Sequence, residues 1–534
     1  MIKFCRKYVF HYKFEFTIYF LLGIALCALN TFLPAIMGYF INLFETKITY
    51  SKMLNAIFLL FIMYISKEII SFFHKLLYIK IQANAAFALN FDIIEHLKEV
   101  SPLVIEKTDL SYLSQRINND ANDILIFFIS SLTELIFSLF SIGIVLFIIQ
   151  QMDTTAFIVT LVLLLFYILI YIRYKNKIYN SSYKMKEEKS NFFSRLQEQL
   201  EKSQFIKIHN MNTFFSMRLK KAYQELYKSI FKQQTTLQIF SNIESLIGAL
   251  SVCILLWIGG KKILIGNMQI GYFYMISVYF NMILEYGKQI VMYGQEYQET
   301  YVSFERIRSI FDIKKQSNGS QILKNINEIN IIDLNFSYDS KKVIKNFTMK
   351  LTKGTIYGIK GKNGCGKSTL IKILLGLYMD EYQGNIFWNN IEMRKLDMCY
   401  IREHILSITE QEPILIADTI YNNMVLYKNV NQEKLHMATD FFNDNILKEK
   451  NWNLQINEKS SNISGGEKQK ITIIRQILQD RQVMIFDEPT SAMDENGKKQ
   501  FIELINHIKS HKIIIIISHD QEILNNCEKL INLL

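Results

Sequence analysis

Gly361-Lys362-Asn363-Gly364-Cys365-Gly366-Lys367-Ser368-Thr369 decides how the last third of this chain folds. A short apolar run, 354–360, precedes it and reads as a strand, and Ser368 onward reads as a helix. A strand, a glycine-rich loop and a helix in that order make a cradle for phosphate. The glycines let backbone N–H groups converge, and the helix N-terminus adds partial positive charge. Lys367 is placed to reach the terminal phosphates of a nucleotide, and the Ser368 hydroxyl to ligate Mg²⁺.

Working outward, residues 330–338 alternate like a strand, and Val483-Met484-Ile485-Phe486 reads as a buried strand that ends in Asp487-Glu488. Asp487 is placed to hold Mg²⁺ through water, and Glu488 to polarise an attacking water as general base. An Asp-Glu pair alone is more often a solvated strand end. Four apolar residues before it and Pro489-Thr490 after it argue otherwise. Between the loop and this strand lies Ile463-Ser464-Gly465-Gly466-Glu467-Lys468-Gln469.

These strings together resemble the ATP-binding cassette (ABC) ATPases, and the whole chain is similar to an ABC exporter half-transporter. The resemblance implies a six-helix α-helical membrane domain fused to an α/β P-loop nucleotide-binding domain. It implies roles residue by residue. Ser464, Gly465, Gly466 and Glu467 match the signature, usually Leu-Ser-Gly-Gly-Gln, from which Ile463 and Glu467 depart. Gln411 matches the Q-loop, which links Mg²⁺ to the membrane domain. Asp494 matches the D-loop and His519 the switch histidine at the γ-phosphate. Tyr338 matches the aromatic that stacks on adenine, and Glu458 the acidic residue before the signature. ATP and Mg²⁺ follow as cofactors. In this family ATP on one subunit meets the signature of another, so a second half-transporter is implied. With Lys367, Glu488, Ser464 and His519 all present, a homodimer is the expectation.

Ahead of this domain the sequence is of membrane grade. A hydrocarbon core takes about 20 apolar residues per helix. Six spans are expected: 16–44, 53–79, 124–150, 154–174, 233–260 and 270–299. Glu244, Glu285 and Lys288 fall inside the last two. A charge at the bilayer centre costs at least ~2.5–3.5 kcal/mol, so such groups normally face a bundle interior or a water-filled path. They are candidates for the substrate path; charges at the bilayer edge, or a Glu285–Lys288 pair on one helical face, are the plainer readings.

Two long polar stretches, 80–123 and 173–232, carry helical periodicity and mixed charge, so membrane helices are expected to continue into the cytoplasm as rods. Turns at 101–109 and 210–218 would touch a soluble domain. Tyr112–Asp120 and Phe304–Ile307 extend the family resemblance into this half. The expected organisation is a membrane domain over 1–315, a linker over 316–325 and a nucleotide-binding domain over 326–534.

The net charge of +11 fits a membrane better than nucleic acid. Lys3, Arg6, Lys7 and Lys13 precede the first span, and Lys and Arg crowd 173–235. The short loops near 45–52 and 151–154 hold two of them and none, respectively. That bias puts the N-terminus and the nucleotide-binding domain in the cytoplasm, although Lys261 and Lys262 run against it. The six cysteines are scattered, which supports neither a disulfide framework nor a metal site. No cleavable signal peptide is evident.

The functional expectation is ATP-driven export across the cell membrane, of a peptide or peptide-derived product. Drug or lipid export on the same architecture is the alternative. A non-pumping ATP-gated channel or regulatory ATPase fits less well with Glu488 and His519 in place, and a soluble ATPase for nucleic-acid maintenance does not fit six spans.

Overall fold

The five isoleucines Ile513–Ile517 are buried without exception, as in a strand at the centre of a parallel sheet covered on both faces. The computed structural model describes residues 1–45, 50–106, 110–339, 341–362, 364–442, 444–458 and 460–533. In it this strand, β8, is flanked by β7 (Val483–Asp487) and β3 (Thr355–Lys360). With β6 (Leu406–Thr409) and β9 (Lys529–Asn532) they form a parallel sheet of order β6-β7-β8-β3-β9. Asp487 and Ile359 both pair with Ile517. The carboxyl ends of three adjacent strands are thus level, the place where open α/β sheets bind ligands. A second, antiparallel sheet of order β2-β1-β4-β5 is built from β1 (Glu328–Tyr338), β2 (Lys341–Thr352), β4 (Gln383–Trp388) and β5 (Ile391–Glu392).

The chain divides into two units, one of residues Met1–Leu97 with Ser111–Asp312, the other of Lys98–Leu110 with Ile313–Leu534. The first polar turn is therefore built into the nucleotide-binding unit. Its short helix Pro102–Glu106 is tied down by Glu106, which accepts from Lys372 at 2.8 Å and from the Tyr378 hydroxyl at 3.1 Å. Ser101 donates to Glu381 at 2.6 Å. Residues 107–109 of the expected turn lie outside the described residues. After Asp312 the chain is extended along the same unit, where Gln316 donates to the Gly376 carbonyl and Asn318 to Asp397.

The other unit is helical: α1 (Lys13–Glu45), α2 (Tyr50–Lys98), α3 (Leu110–Ile126), α4 (Leu132–Met152), α5 (Thr154–Glu201), α6 (Asn212–Leu264) and α7 (Ile270–Phe311). A π-helical turn, Phe127–Ser131, joins α3 to α4. Helices α2, α5 and α6 run 49, 48 and 53 residues, about 72–80 Å at 1.5 Å per residue, more than twice a hydrocarbon core. The rods expected from 80–123 and 173–232 are continuous with the apolar segments.

One expectation is corrected. The turn placed at 210–218 lies earlier, because α6 has already begun at Asn212. The chain reverses between Glu201 and Asn212 around the short helix Ser203–Ile208, and Asn210 takes a left-handed φ of 53°, a conformation asparagine tolerates. Among the described residues, five helices are long and apolar enough to cross a membrane by length and composition alone. Helix α7 runs unbroken over the expected sixth span and is more polar than these five. Its Gln289 and Glu296 accept hydrogen bonds from Ser138 and Ser131, at 2.6 and 2.5 Å. Such partners lower the cost of holding polar groups inside a bundle.

Candidate functional site

At the level carboxyl ends, the loops after β3, β7 and β8 enclose a cavity of about 670 Å³. Tyr338, Gly364, Gly366, Lys367, Ser368, Thr369, Gln411, Asp487, Glu488 and His519 line it, so residues up to 181 positions apart in sequence converge on one place. Gly364 and Gly366 take φ of 80° and 105°, which side-chain-bearing residues rarely adopt. A Cβ on Gly366 would meet Val343 at 2.9 Å. The loop then passes directly into the helix Lys367–Leu374, whose free N–H groups face a prospective anion. Cys365 is half-buried against the core, and Asn363 lies outside the described residues.

Lys367 folds back over its own loop. Its Nζ donates to the Gly361 carbonyl at 2.7 Å and lies 3.0 Å from His519 Nε2. An ammonium group can only donate, so that ring nitrogen is the acceptor and the imidazole proton sits on Nδ1.

Glu488 is held by its backbone. Its N–H donates to the Ile517 carbonyl at 2.9 Å, and its φ is 46°, a strained setting for a residue other than glycine. Its Oε2 accepts weakly from the His519 N–H at 3.4 Å. Its Oε1 is buried without a hydrogen-bond partner among the described residues and is 3.9 Å from His519 Nε2. A buried, unpaired carboxylate oxygen is costly, and a polarised water would satisfy it. Beside it, burial pushes the Asp487 carboxyl up to about 6; the neighbouring Glu488 charge adds to this and Lys367 opposes it. Two carboxylates in a half-closed cavity, one orphaned and one reluctant to ionise, together with the Ser368 hydroxyl and Gln411, form a donor set that fits Mg²⁺ with phosphates.

Ser464, Gly465, Gly466 and Glu467 do not line this cavity. Ser464 caps the helix Gly465–Gln479 in a reciprocal capping box with Glu467. The Ser464 hydroxyl donates to Glu467 Oε2 at 2.6 Å, and its backbone N–H to the same oxygen at 2.8 Å. Asp494 likewise caps the helix Glu495–Ile508, accepting from the Gly497 N–H at 2.9 Å. Glu458 lies exposed on a turn before the signature.

Sequence reading missed Gln469. It is 1% exposed, and its amide donates to Ser491 Oγ at 2.6 Å and to the Glu488 carbonyl at 3.3 Å. It also accepts from the Ala492 N–H at 2.9 Å. It thereby fastens the signature helix to the loop carrying Glu488; a signal was its place two residues beyond Glu467. Also missed were Lys341 and Val343 on the cavity wall, and Tyr378. The Tyr338 hydroxyl bonds Thr369 Oγ1 at 3.3 Å and donates to the Tyr378 hydroxyl at 3.4 Å. Nothing local marks Tyr378.

In the helical unit, Glu244 is 3.9 Å from Lys288 and accepts from the Tyr167 hydroxyl at 3.4 Å. The ion pair thus joins α6 to α7, and Glu285, the other expected partner of Lys288, is not part of it.

The description "ABC transporter transmembrane region" matches residues 16–286, and "ABC transporter" matches 344–491. The chain belongs to the ABC transporter family. With both parts in one chain it has the architecture of a half-transporter. The lactococcin-G-processing and transport ATP-binding protein LagD of Lactococcus lactis is 27% identical over 77% of this chain and 60% of its own length. The multidrug resistance-like ATP-binding protein MdlA of Buchnera aphidicola is 25% identical over 98% of this chain and 92% of its own. The chain spans only 60% and 32% of the first two curated relatives it matches, the second being an ABC transporter of Dictyostelium discoideum. A solved structure of a bacterial Atm1-family ABC exporter with ATP bound superposes with a TM-score of 0.83, at 16% identity, over 97% of this chain and 92% of that one.

Proposed function

We propose that this chain is one half of an ATP-driven exporter and that two copies make the working pump. The observation that carries this reading is a division of labour. Lys367, Ser368, Gln411, Asp487, Glu488 and His519 share one cavity, while the signature residues 464–467 stand away from it. A complete site then needs the signature of a second chain.

ATP binds with its β- and γ-phosphates over Gly364, Gly366 and Lys367 and its adenine against Tyr338. Ser368, Gln411 and Asp487 would hold Mg²⁺, which neutralises phosphate charge when bound. Lys367 exchanges its bond to His519 for phosphate oxygens, which frees His519 for the γ-phosphate. Glu488 takes a proton from water as the water oxygen attacks the γ-phosphorus; the bond to the β-phosphate oxygen breaks and ADP leaves. Closure of the two nucleotide domains is favoured only as far as ATP prefers the closed pair. The helix Pro102–Glu106, fixed on this unit by Glu106, carries that change toward α2 and α3.

The substrate we favour is a peptide or peptide-derived product, moved outward from a cytoplasm that holds the N-terminus and the nucleotide-binding domain. Similarity to LagD, whose name specifies lactococcin G processing and transport, supports it. Similarity to MdlA across nearly its whole length keeps drug or lipid export as the second reading. Glu244, Glu285 and Lys288 remain candidates for the path. Purified protein in liposomes, screened for ATPase stimulation by cationic peptides, amphipathic drugs and lipids, tests the choice. Stimulation by peptides alone supports the first reading, and stimulation by drugs or lipids alone overturns it.

A further inference from the structure

Helix α5 is uncharged over 154–172 and then turns basic. Arg173, Lys177 and Lys184 recur at helical spacing on one face, and Lys232 of α6 stands opposite. All four line a single cavity of about 700 Å³ together with Asn180 and Ser229, and no acidic residue lines it. Among the described residues none of these four cations is in an ion pair. Their neighbours behave differently: on the same helix Lys186 pairs with Glu299 and Arg195 with Glu198. Four like charges gathered round one cavity repel one another, and among the described residues no carboxylate lines it to offset them.

We propose that this cavity is a binding site for a soluble, multiply anionic molecule bearing carboxylate or phosphate groups. Arg173 offers a planar fork that matches either group, and the lysines add movable point charges. Asn180 and Ser229 bring neutral hydrogen-bonding groups. The volume is that of an ordinary small-molecule site. Depth favours a soluble ligand over a lipid headgroup. From Arg173 to Lys184 the helix advances about 16 Å, whereas the polar layer of a bilayer leaflet is about 5–8 Å thick. The charges therefore continue beyond headgroup reach. The site rests on the export reading for its meaning: it would gather an acidic substrate, or the acidic part of one, from the cytoplasm.

The test uses full-length protein in phosphatidylcholine nanodiscs, without ATP, and fluorescein-labelled hexaglutamate as probe. Anisotropy should show saturable binding that weakens with salt. The Lys177→Gln/Lys184→Gln double variant should bind at least about tenfold more weakly, while Lys184→Arg, which keeps the charge, stays within about twofold of the parent. Equal binding by parent and double variant overturns the proposal, as does absence of binding by the parent. Should the parent ignore hexaglutamate yet retain phosphatidylglycerol in native mass spectrometry, with that retention lost in the double variant, the cavity is a lipid site and the proposal fails. Binding of a fluorescent ATP analogue to the same samples reports on the export reading separately.

Discussion

Lys367 Nζ and His519 Nε2 lie 3.0 Å apart across the mouth of the phosphate cavity. Both groups are expected to hold the same γ-phosphate. The bond links the loop after β3 to the loop after β8, and ATP must break it to bind productively.

Replacing His519 removes the γ-phosphate contact expected in the transition state and leaves the Lys367 bond to the Gly361 carbonyl in place. His519→Ala should lower kcat by roughly 10²–10³-fold, the cost of losing one hydrogen-bonding group from the transition state. ATP affinity, read by equilibrium binding, should change by no more than about threefold. A kcat within about threefold of the parent would remove His519 from the reaction.

Gln469→Ala leaves the Ala492 N–H and the Glu488 carbonyl short of a buried partner, worth roughly 1–3 kcal/mol. Because Gln469 does not line the cavity, the loss should fall on kcat, by about tenfold, with KM for ATP little changed. Gln469→Glu keeps the acceptor for Ala492 and loses the donors, so it should recover only part of the activity.

Tyr378 donates to Glu106 at 3.1 Å and accepts from Tyr338 at 3.4 Å. A chain of hydroxyls therefore runs from the expected adenine platform to the helix Pro102–Glu106. Tyr378→Phe should leave ATP binding and basal turnover near the parent's while lowering substrate-stimulated ATPase several-fold, the size of one hydrogen bond of about 1 kcal/mol. Unchanged stimulation would make the chain a packing feature.

Acid should act through Asp487. Its carboxyl, raised to about 6 chiefly by burial, keeps its proton to a higher pH than an ordinary aspartate and must release it to take up a cation. Mg²⁺-dependent ATP binding should therefore weaken as pH falls from 7.5 through about 6, and Asp487→Asn should be weak throughout and flat. The stability sign is the reverse. The nucleotide-free fold holds this proton more tightly than the unfolded chain does, so this group's contribution to stability declines as pH rises from the ordinary aspartate range to about 6.

The nucleotide-binding half was legible because its chemistry is local. The loop at 361–369, the strand into Asp487-Glu488 and the run Ile513–Ile517 each declare themselves within ten residues. What escaped depends on tertiary placement. Tyr378 matters through Glu106, 272 positions away in sequence. The Glu244–Lys288 pair joins two helices, where the sequence offered only Glu285 on the same face. The sixth span was harder to read because Gln289 and Glu296 lower its apolar content, and only the bundle shows that Ser138 and Ser131 satisfy them. The turn at 210–218 was misplaced because Asn210 ends one segment by its backbone alone.

The central claim is that ATP is held between two copies of this chain. Native mass spectrometry of Glu488→Gln with Mg²⁺ and ATP tests it most directly. A complex of two chains that retains two ATP molecules is expected, with no retained nucleotide once Ser464→Arg is added. Single chains retaining ATP at the same occupancy, or retention that ignores Ser464→Arg, would contradict it.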